Sequence, residues 1–265
     1  MTKDIRELDI TELSEELKTL GQPSFRAKQI WQWLWQKGAR SFDEMTNLSK
    51  DLRSVLSENF TFHKTEIITS QYSVDGTIKV VFELHDGNKI EGVLIPSMSR
   101  TTACVSSQVG CSLDCKFCAT GYLKRSRNLT AAEIFDQVWQ INELAEKHHG
   151  KRLDNIVYMG MGEPLLNYSN TLKSIERITA PDGLGMSPRR ITVSTAGIAK
   201  MIKQLGDDDV KFNLALSLHA PTDEKRSQIM PINEQNSLSS LVEALKYFHE
   251  KTGTHVTLEY IIFKD

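Results

Sequence analysis

Apolar residues first recur at helical spacing along this chain and then switch to alternation. In the segment 10–20, Leu13, Leu17 and Leu20 share one face, with Thr11 as the candidate N-cap. Gly21-Gln22-Pro23 breaks that helix. The segment 25–37 carries Ile30, Trp31, Leu34 and Trp35 on a second stripe, and Gly38 fits its end. A third helix is predicted over about 49–58. The tryptophan-bearing stripe reads as the core of a small helical unit rather than a platform for bases, with Arg26, Lys28 and Lys37 as its solvated face. The period then becomes two. The segments 66–73, 78–84 and 89–95 read as antiparallel strands, separated by turns at Val74-Asp75-Gly76 and His85-Asp86-Gly87. Pro96 is the expected boundary, giving residues 1–96 as a helical accessory domain with a short β segment and 97–265 as the core.

Beyond Pro96, strands at 101–106, 155–159, 190–194, 212–218 and 255–262 alternate with helices, among them 130–148, 169–178, 199–205 and 237–251. This alternation predicts an α/β fold with a parallel sheet closed or partly closed as a barrel. Functional groups in such a barrel gather at the C-terminal ends of strands. A length of 265 residues, 40% hydrophobic and 25% charged, is ordinary for a soluble globular chain with one large unit and one small. Met1-Thr2-Lys3-Asp4 opens without an apolar leader core, and no apolar run approaches a membrane span. Four cysteines, three of them clustered, indicate a reducing, cytoplasmic setting. A net charge of −2 gives no overall basic footprint, so any nucleic-acid contact must be local. Lys124, Arg125 and Arg127, and the pair Arg189 and Arg190, are candidate phosphate contacts or simply solvated charge.

The candidate chemistry follows the first core strand. Cys111, Cys115 and Cys118 form C-x3-C-x2-C, with Phe117 just before the last. Soft thiolates suit iron–sulfur clusters or zinc. A [4Fe-4S] cubane normally takes four cysteines, so three ligands leave one iron open, as a catalytic metal keeps an open position. Zinc would need a fourth Cys or His, and His148 and His149 fall inside a predicted helix. The spacing resembles the radical S-adenosylmethionine superfamily. There the amino and carboxylate groups of S-adenosylmethionine bind the open iron, and an electron from an external reductant leads to a 5′-deoxyadenosyl radical. Met159-Gly160-Met161-Gly162-Glu163-Pro164 resembles that superfamily's Gly-Gly-Glu segment, with Glu163 for the ligand ammonium, although a plain glycine-rich turn has the same composition. Ser194, in Val193-Ser194-Thr195-Ala196-Gly197, offers a hydroxyl beside a helix start. Ser217 and His219, in Leu216-Ser217-Leu218-His219-Ala220-Pro221, stand at the next strand end, where a structural histidine is the alternative.

Longer runs are more discriminating. The stretch from Cys104 through Cys118 to Gly121, Arg127 to Thr130, Met159 to Asn167, Ser187 to Arg190, Ser217 to Pro221 and Met230 to Asn233 together resemble the radical S-adenosylmethionine RNA adenine-C2 methyltransferases. The match covers essentially the whole chain. It implies a partial (β/α) barrel of the radical S-adenosylmethionine type, preceded by a small helical domain and a short antiparallel sheet. It implies a [4Fe-4S] cluster on Cys111, Cys115 and Cys118, and S-adenosylmethionine held by Gly162, Glu163, Ser194, Ser217, Leu218 and His219. The implied substrates are 23S rRNA in the peptidyl-transferase region and the adenine beside the anticodon of tRNA. The implied organisation is a cytoplasmic monomer with no membrane role. In that family a methylated cysteine near the C-terminus delivers a carbon radical to adenine C2, a base removes the C2 proton, and a second cysteine releases the product by forming a disulfide. Glu91 matches the proton acceptor and Cys104 the resolving cysteine; on its own Glu91 reads as a solvent-facing strand carboxylate. The methyl-carrying cysteine and a late asparagine that touches the cofactor have no counterpart here. The expectation is therefore a C-terminally truncated chain whose residues alone do not complete methyl transfer. A radical enzyme on another substrate, or a zinc-binding RNA adaptor, are the alternatives.

Overall fold

The structure is a computed structural model that describes residues 2–262. Its N-terminal helices are α1 (Ile10–Thr19), α2 (Arg26–Trp35) and α3 (Lys50–Asn59). α1 is capped by Asp9, not by Thr11. The Asp9 carboxylate accepts from the backbone N–H groups of Thr11 and Glu12, and the Glu12 carboxylate accepts from the Asp9 N–H. This reciprocal box satisfies amides that a helix start leaves without partners, and Thr11 is already inside the first turn. α2 buries Ile30, Trp31, Leu34 and Trp35. Trp35 meets Phe135 edge-on with ring centroids 5.0 Å apart, so the tryptophan stripe is core, packed against the larger unit.

That larger unit contains one eight-stranded sheet whose strands lie side by side in chain order. They are β1 (Thr65–Tyr72), β2 (Ile78–Leu84), β3 (Lys89–Pro96), β4 (Thr101–Cys104), β5 (Asn155–Tyr158), β6 (Ile191–Thr195), β7 (Asn213–Ser217) and β8 (Val256–Glu259). β1 to β4 pair antiparallel, and β4 to β8 pair parallel. The crossovers carry α4 (Ala131–His149), α5 (Tyr168–Thr179), α6 (Ala199–Asp207), α7 (Asp223–Ile229) and α8 (Leu238–Thr252). The result is the α/β arrangement expected, an open partial barrel with its antiparallel strands on one flank. Those strands are not a separate sheet. A tight turn, in which the Ser97 N–H donates to the Arg100 carbonyl at 2.7 Å, returns the chain so that β3 pairs with β4 across Pro96. Hydrogen bonding therefore runs unbroken through the boundary expected there. Among the described residues no helix is long and apolar enough to cross a membrane.

Burial alternates along the strands. Ile90, Leu94, Ala103, Ile156, Tyr158, Val193, Leu214 and Leu216 are buried in the single core, while Glu91, Val93, Thr102, Cys104 and Val157 on the other face are half-buried. α4 starts at Thr130, whose hydroxyl accepts from the Glu133 N–H while the Glu133 carboxylate accepts from the Thr130 N–H. The helical unit is fastened to α4 by a buried cation. The Arg6 guanidinium donates to both oxygens of Asp136 at 2.7 and 2.8 Å, to Asp4 at 2.9 Å and to the His63 carbonyl at 2.8 Å. A buried charge stripped of its partner is strongly destabilising. Replacing Arg6 by Met leaves Asp4 and Asp136 buried without their cation and is expected to lower unfolding stability by about 3–5 kcal/mol. Urea melts of the two proteins measure this, and a loss under about 1 kcal/mol, the value of an exposed pair, would show the clamp to be dispensable.

Candidate active site

Strand register decides which side chains share the site. Val93, Cys104, Val157, Thr192 and Asn213 form one row across β3 to β7. Successive side chains alternate faces. Ser194, two residues beyond Thr192, and Ser217, opposite Glu259, therefore look onto the same face as Cys104.

The cysteine loop crosses the ends of these strands and is held mainly by the backbone. The N–H groups of Ser107 and Gln108 both donate to the Met161 carbonyl, Cys111 N–H donates to Leu123, and Lys116 N–H donates to Ile229 at the end of α7. Gln137 of α4 accepts from the Ser106 N–H and donates to the Ser106 carbonyl. The Gln108 side chain accepts from the Glu163 N–H at 2.9 Å and donates to Asn128 at 2.8 Å. Gly162 makes that approach possible: its φ is +94°, and a Cβ there would stand 2.4 Å from Gln108 Cβ.

One cavity is lined by Cys111, Cys115, Cys118, Gly162, Glu163, Ser194, Ser217 and His219, together with Phe117, Met230 and Glu259. Glu163 is 3% exposed. Its Oε1 accepts from the Leu165 N–H at 3.0 Å and its Oε2 from the Ala196 N–H at 2.7 Å. Burial pushes this carboxyl above its ordinary range, and those two amides pull it back. Among the described residues no cationic side chain pairs with it. His219 sits at φ +55°, a left-handed position uncommon for residues other than glycine. Its ring meets Phe117 edge-on at 4.7 Å, and its Nδ1 is buried without a hydrogen-bond partner. Burial and then the charge of Arg226 hold this imidazole below its usual value. The thiols affect one another. Burial raises Cys111, and it pushes Cys115 up to about 12, with Cys111, Cys118 and Glu163 adding and Arg226 opposing.

This donor set fits a thiolate-bound iron–sulfur cluster with a ligand beside it. Among the described residues, no three His, Cys, Asp or Glu side chains gather as they would around a single metal ion. Thiolates that each take a different iron need no such convergence. A buried carboxylate without a cation suits a ligand ammonium, and the unpartnered Nδ1 of His219 suits a polar group of the same ligand.

The other expected site residues lie outside the cavity. Leu218 contributes backbone: its N–H and that of His219 donate to the Glu259 carbonyl at 3.0 and 3.2 Å. Cys104 is half-buried at the end of β4, with its thiol against the Met159 backbone N–H. Burial pushes it up to about 11; Met159 pulls it back and Glu259 pushes it further. Glu91 shares the face of Cys104 and pairs with Lys79 at 2.8 Å, and its carbonyl accepts from the Ser106 hydroxyl at 2.6 Å. Arg127 is not a free phosphate contact. It donates to Asp86 at 2.6 Å and to both oxygens of Glu133 at 2.8 Å, because the nearly inaccessible Glu133 carboxylate needs a counter-charge. Lys124, Arg125, Arg189 and Arg190 are exposed. Two groups at the site escaped the sequence reading, Glu259 and Arg226. The first closes a strand whose alternation does mark its side chain as facing the site; the second sits in Asp223-Glu224-Lys225-Arg226, which reads as solvated charge.

Residues 3–62 match the family model of the ribosomal RNA large subunit methyltransferase N-terminal domain, and residues 105–265 that of the radical SAM superfamily. The chain is 57% identical over 261 residues to a Cytophaga hutchinsonii protein named "Probable dual-specificity RNA methyltransferase RlmN", spanning 98% of this chain and 72% of that one. The chain belongs to the RlmN family. A Thermotoga maritima RlmN relative of the same description is 44% identical, over 99% of this chain and 76% of its own. Among solved structures, a radical SAM methyltransferase from Sphaerobacter thermophilus superposes with a TM-score of 0.91 at 39% identity, covering 98% of this chain and 76% of that one. The RlmN fold and the radical SAM core thus extend over nearly all of these residues.

The environment of Cys104 has a measurable consequence. A thiol raised to about 11 is protonated at neutral pH, and only its thiolate is alkylated. Iodoacetamide labelling of Cys104, followed by peptide mapping of the metal-free protein, is expected to be slow near neutrality and to accelerate about tenfold per pH unit until about 11. A rate that levels off near the ordinary thiol value of about 8.5 would show that burial does not control this group.

Proposed function

We propose that this chain carries the radical SAM core of an RNA methyltransferase that modifies C2 of adenine in 23S rRNA and in tRNA. What carries this reading is the convergence on one cavity of the three loop cysteines with Glu163, Ser194, Ser217 and His219, in a chain so close to RlmN relatives. Adenine C2 is an electron-poor amidine carbon, and transfer of a methyl cation from a sulfonium cannot proceed there. A [4Fe-4S] cluster, when bound, supplies the single electron that opens radical chemistry from S-adenosylmethionine.

The protein's part is to hold and orient. Cys111, Cys115 and Cys118 would ligate the cluster and leave one iron for the S-adenosylmethionine amino and carboxylate groups. Glu163, buried with two amides and no cation, would bind the amino group. Gly162 keeps the backbone beside it low, and Ser194, Ser217, the Leu218 backbone and His219 would meet the rest of the cofactor. Glu91 would take the C2 proton, and Cys104 would serve as the resolving thiol; both lie on the sheet face that carries Ser194 and Ser217. Glu259, whose charge raises Cys104, accepts from Ser194 Oγ at 3.4 Å and so links that thiol electrostatically to the cofactor groups. Lys124, Arg125, Arg189 and Arg190 are exposed cations that could meet RNA phosphates. The reading places the protein in the cytoplasm, as a monomer served by an external one-electron reductant.

Anaerobic reconstitution with iron and sulfide tests it. The expected product is brown, absorbs near ~400 nm, and releases 5′-deoxyadenosine from S-adenosylmethionine once reduced. Cys118→Ser is expected to lose both properties, and Glu163→Gln to keep the colour while S-adenosylmethionine binding weakens at least about tenfold. Uptake of a single zinc in place of iron and sulfide would overturn the reading, as would equal affinity for peptidyl-transferase RNA and an unrelated hairpin.

A further inference from the structure

Arg226 is fully buried on α7. Its Nε donates to the Leu218 carbonyl at 3.1 Å and its Nη2 to the carbonyls of Ala196 and Ser217 at 2.6 and 2.9 Å. Its Nη1 donates to Asn233 Oδ1 at 2.7 Å. Every one of these acceptors is neutral. A guanidinium stays charged wherever it is placed, and burying it without an anion is costly. Among the described residues no carboxylate forms an ion pair with it. The one whose charge reaches it, Asp223, is itself engaged by the Leu238 N–H at 2.8 Å and by Asn233 at 3.0 Å.

The missing counter-charge has an obvious direction. The carbonyls that Arg226 holds belong to the loops after β6 and β7, and Ala196 and Ser217 line the cavity. Ile229, in the same helix, anchors the cysteine loop by accepting from the Lys116 N–H at 2.9 Å, and Met230 after it lines the cavity too. The field of Arg226 reaches Cys115. A lone positive charge thus stands behind the wall on which three thiols would become thiolates.

We propose that Arg226 is the positioning residue of this site: it fixes the ends of β6 and β7 in one geometry and supplies the counter-charge of the thiolate-bound cluster. The inference rests on the cluster reading above. A positive charge close to the cluster favours its more negative, reduced form, so Arg226 raises the potential at which the cluster accepts an electron. Lysine keeps the charge without the planar fork, and glutamine keeps donors without the charge.

The test compares the wild-type chain with Arg226→Gln and Arg226→Lys after anaerobic loading with iron and sulfide. It reads metal content, midpoint potential by dye-mediated titration, S-adenosylmethionine affinity, and thermal unfolding of the unloaded chains. The Gln variant is expected to shift the midpoint to more negative potential, and the Lys variant to return it towards wild type. Both are expected to bind S-adenosylmethionine about tenfold more weakly, since neither holds all the strand-end carbonyls. A Gln variant with lowered melting temperature but an unmoved potential would overturn the counter-charge role. Failure of both variants to fold would assign Arg226 to the fold alone and overturn it likewise. A wild-type chain that takes up no iron and sulfide would instead sink the cluster reading, a separate outcome visible in the metal content.

Discussion

The register of the parallel strands is the constraint on which this molecule rests. Ala103, Ile156 and Ile191 stand in line across β4, β5 and β6 and are all buried, so a slip of one residue in any strand would carry its apolar set to the opposite face. The same alignment that buries these residues turns Cys104, Ser194, Ser217 and Glu259 towards one another. Packing and chemistry are thus two consequences of a single periodicity. The hydrophobic core fixes where the polar groups go, and no polar contact is needed to choose the face.

Register brings the strand ends together, but loops must still be tied to each other. The ties are polar and run from loop to loop. Glu163, after β5, accepts from Ala196 after β6. Arg226 joins the carbonyls after β6 to those after β7, and α7, which carries it, joins the cysteine loop through Ile229. Gln108 joins the cysteine loop to the Glu163 backbone. Because these groups lie in a poorly solvated interior, each lost partner would leave a costly unsatisfied group. Gly162 and His219, both at positive φ, line the cavity where these ties meet.

What the sequence showed, and what it hid, follows from how far each signal travels along the chain. The helices at 10–20 and 25–37 and the strand at 78–84 were legible because burial has a local period. Thr11 reads as the cap of α1 because Asp9 and Thr11 are both good cap residues, and only the reciprocal bond from Glu12 selects Asp9. Pro96 reads as a boundary because proline lacks an N–H, yet a strand needs no donor at its last residue, and the β3–β4 pairing passes through it. Arg127 reads as a phosphate contact in Lys124-Arg125-Ser126-Arg127, and only the fold brings Asp86 and Glu133 to it. The cysteine spacing and the Gly-Glu segment were visible because backbone geometry forces them to be contiguous. Glu259 and Arg226 reach the site from distant parts of the chain, and Arg226 is buried among residues that a solvated helix would also use.

The fourth cysteine brings these considerations together. A cubane would accept a fourth thiolate, and Cys104 precedes Cys111 by only seven residues. Three features of the fold keep it apart. Its Cα is fixed in the ladder between Val93 and Val157, so it cannot swing with the loop. Its thiol is already engaged by the Met159 backbone N–H. It does not line the cavity that holds the loop thiols. Under the cluster reading, the vacancy at the fourth iron is then a property of the sheet rather than of the cysteine count. The strand that withholds Cys104 from the loop thiols also sets its sulfur on the face that carries Ser194, Ser217 and Glu259.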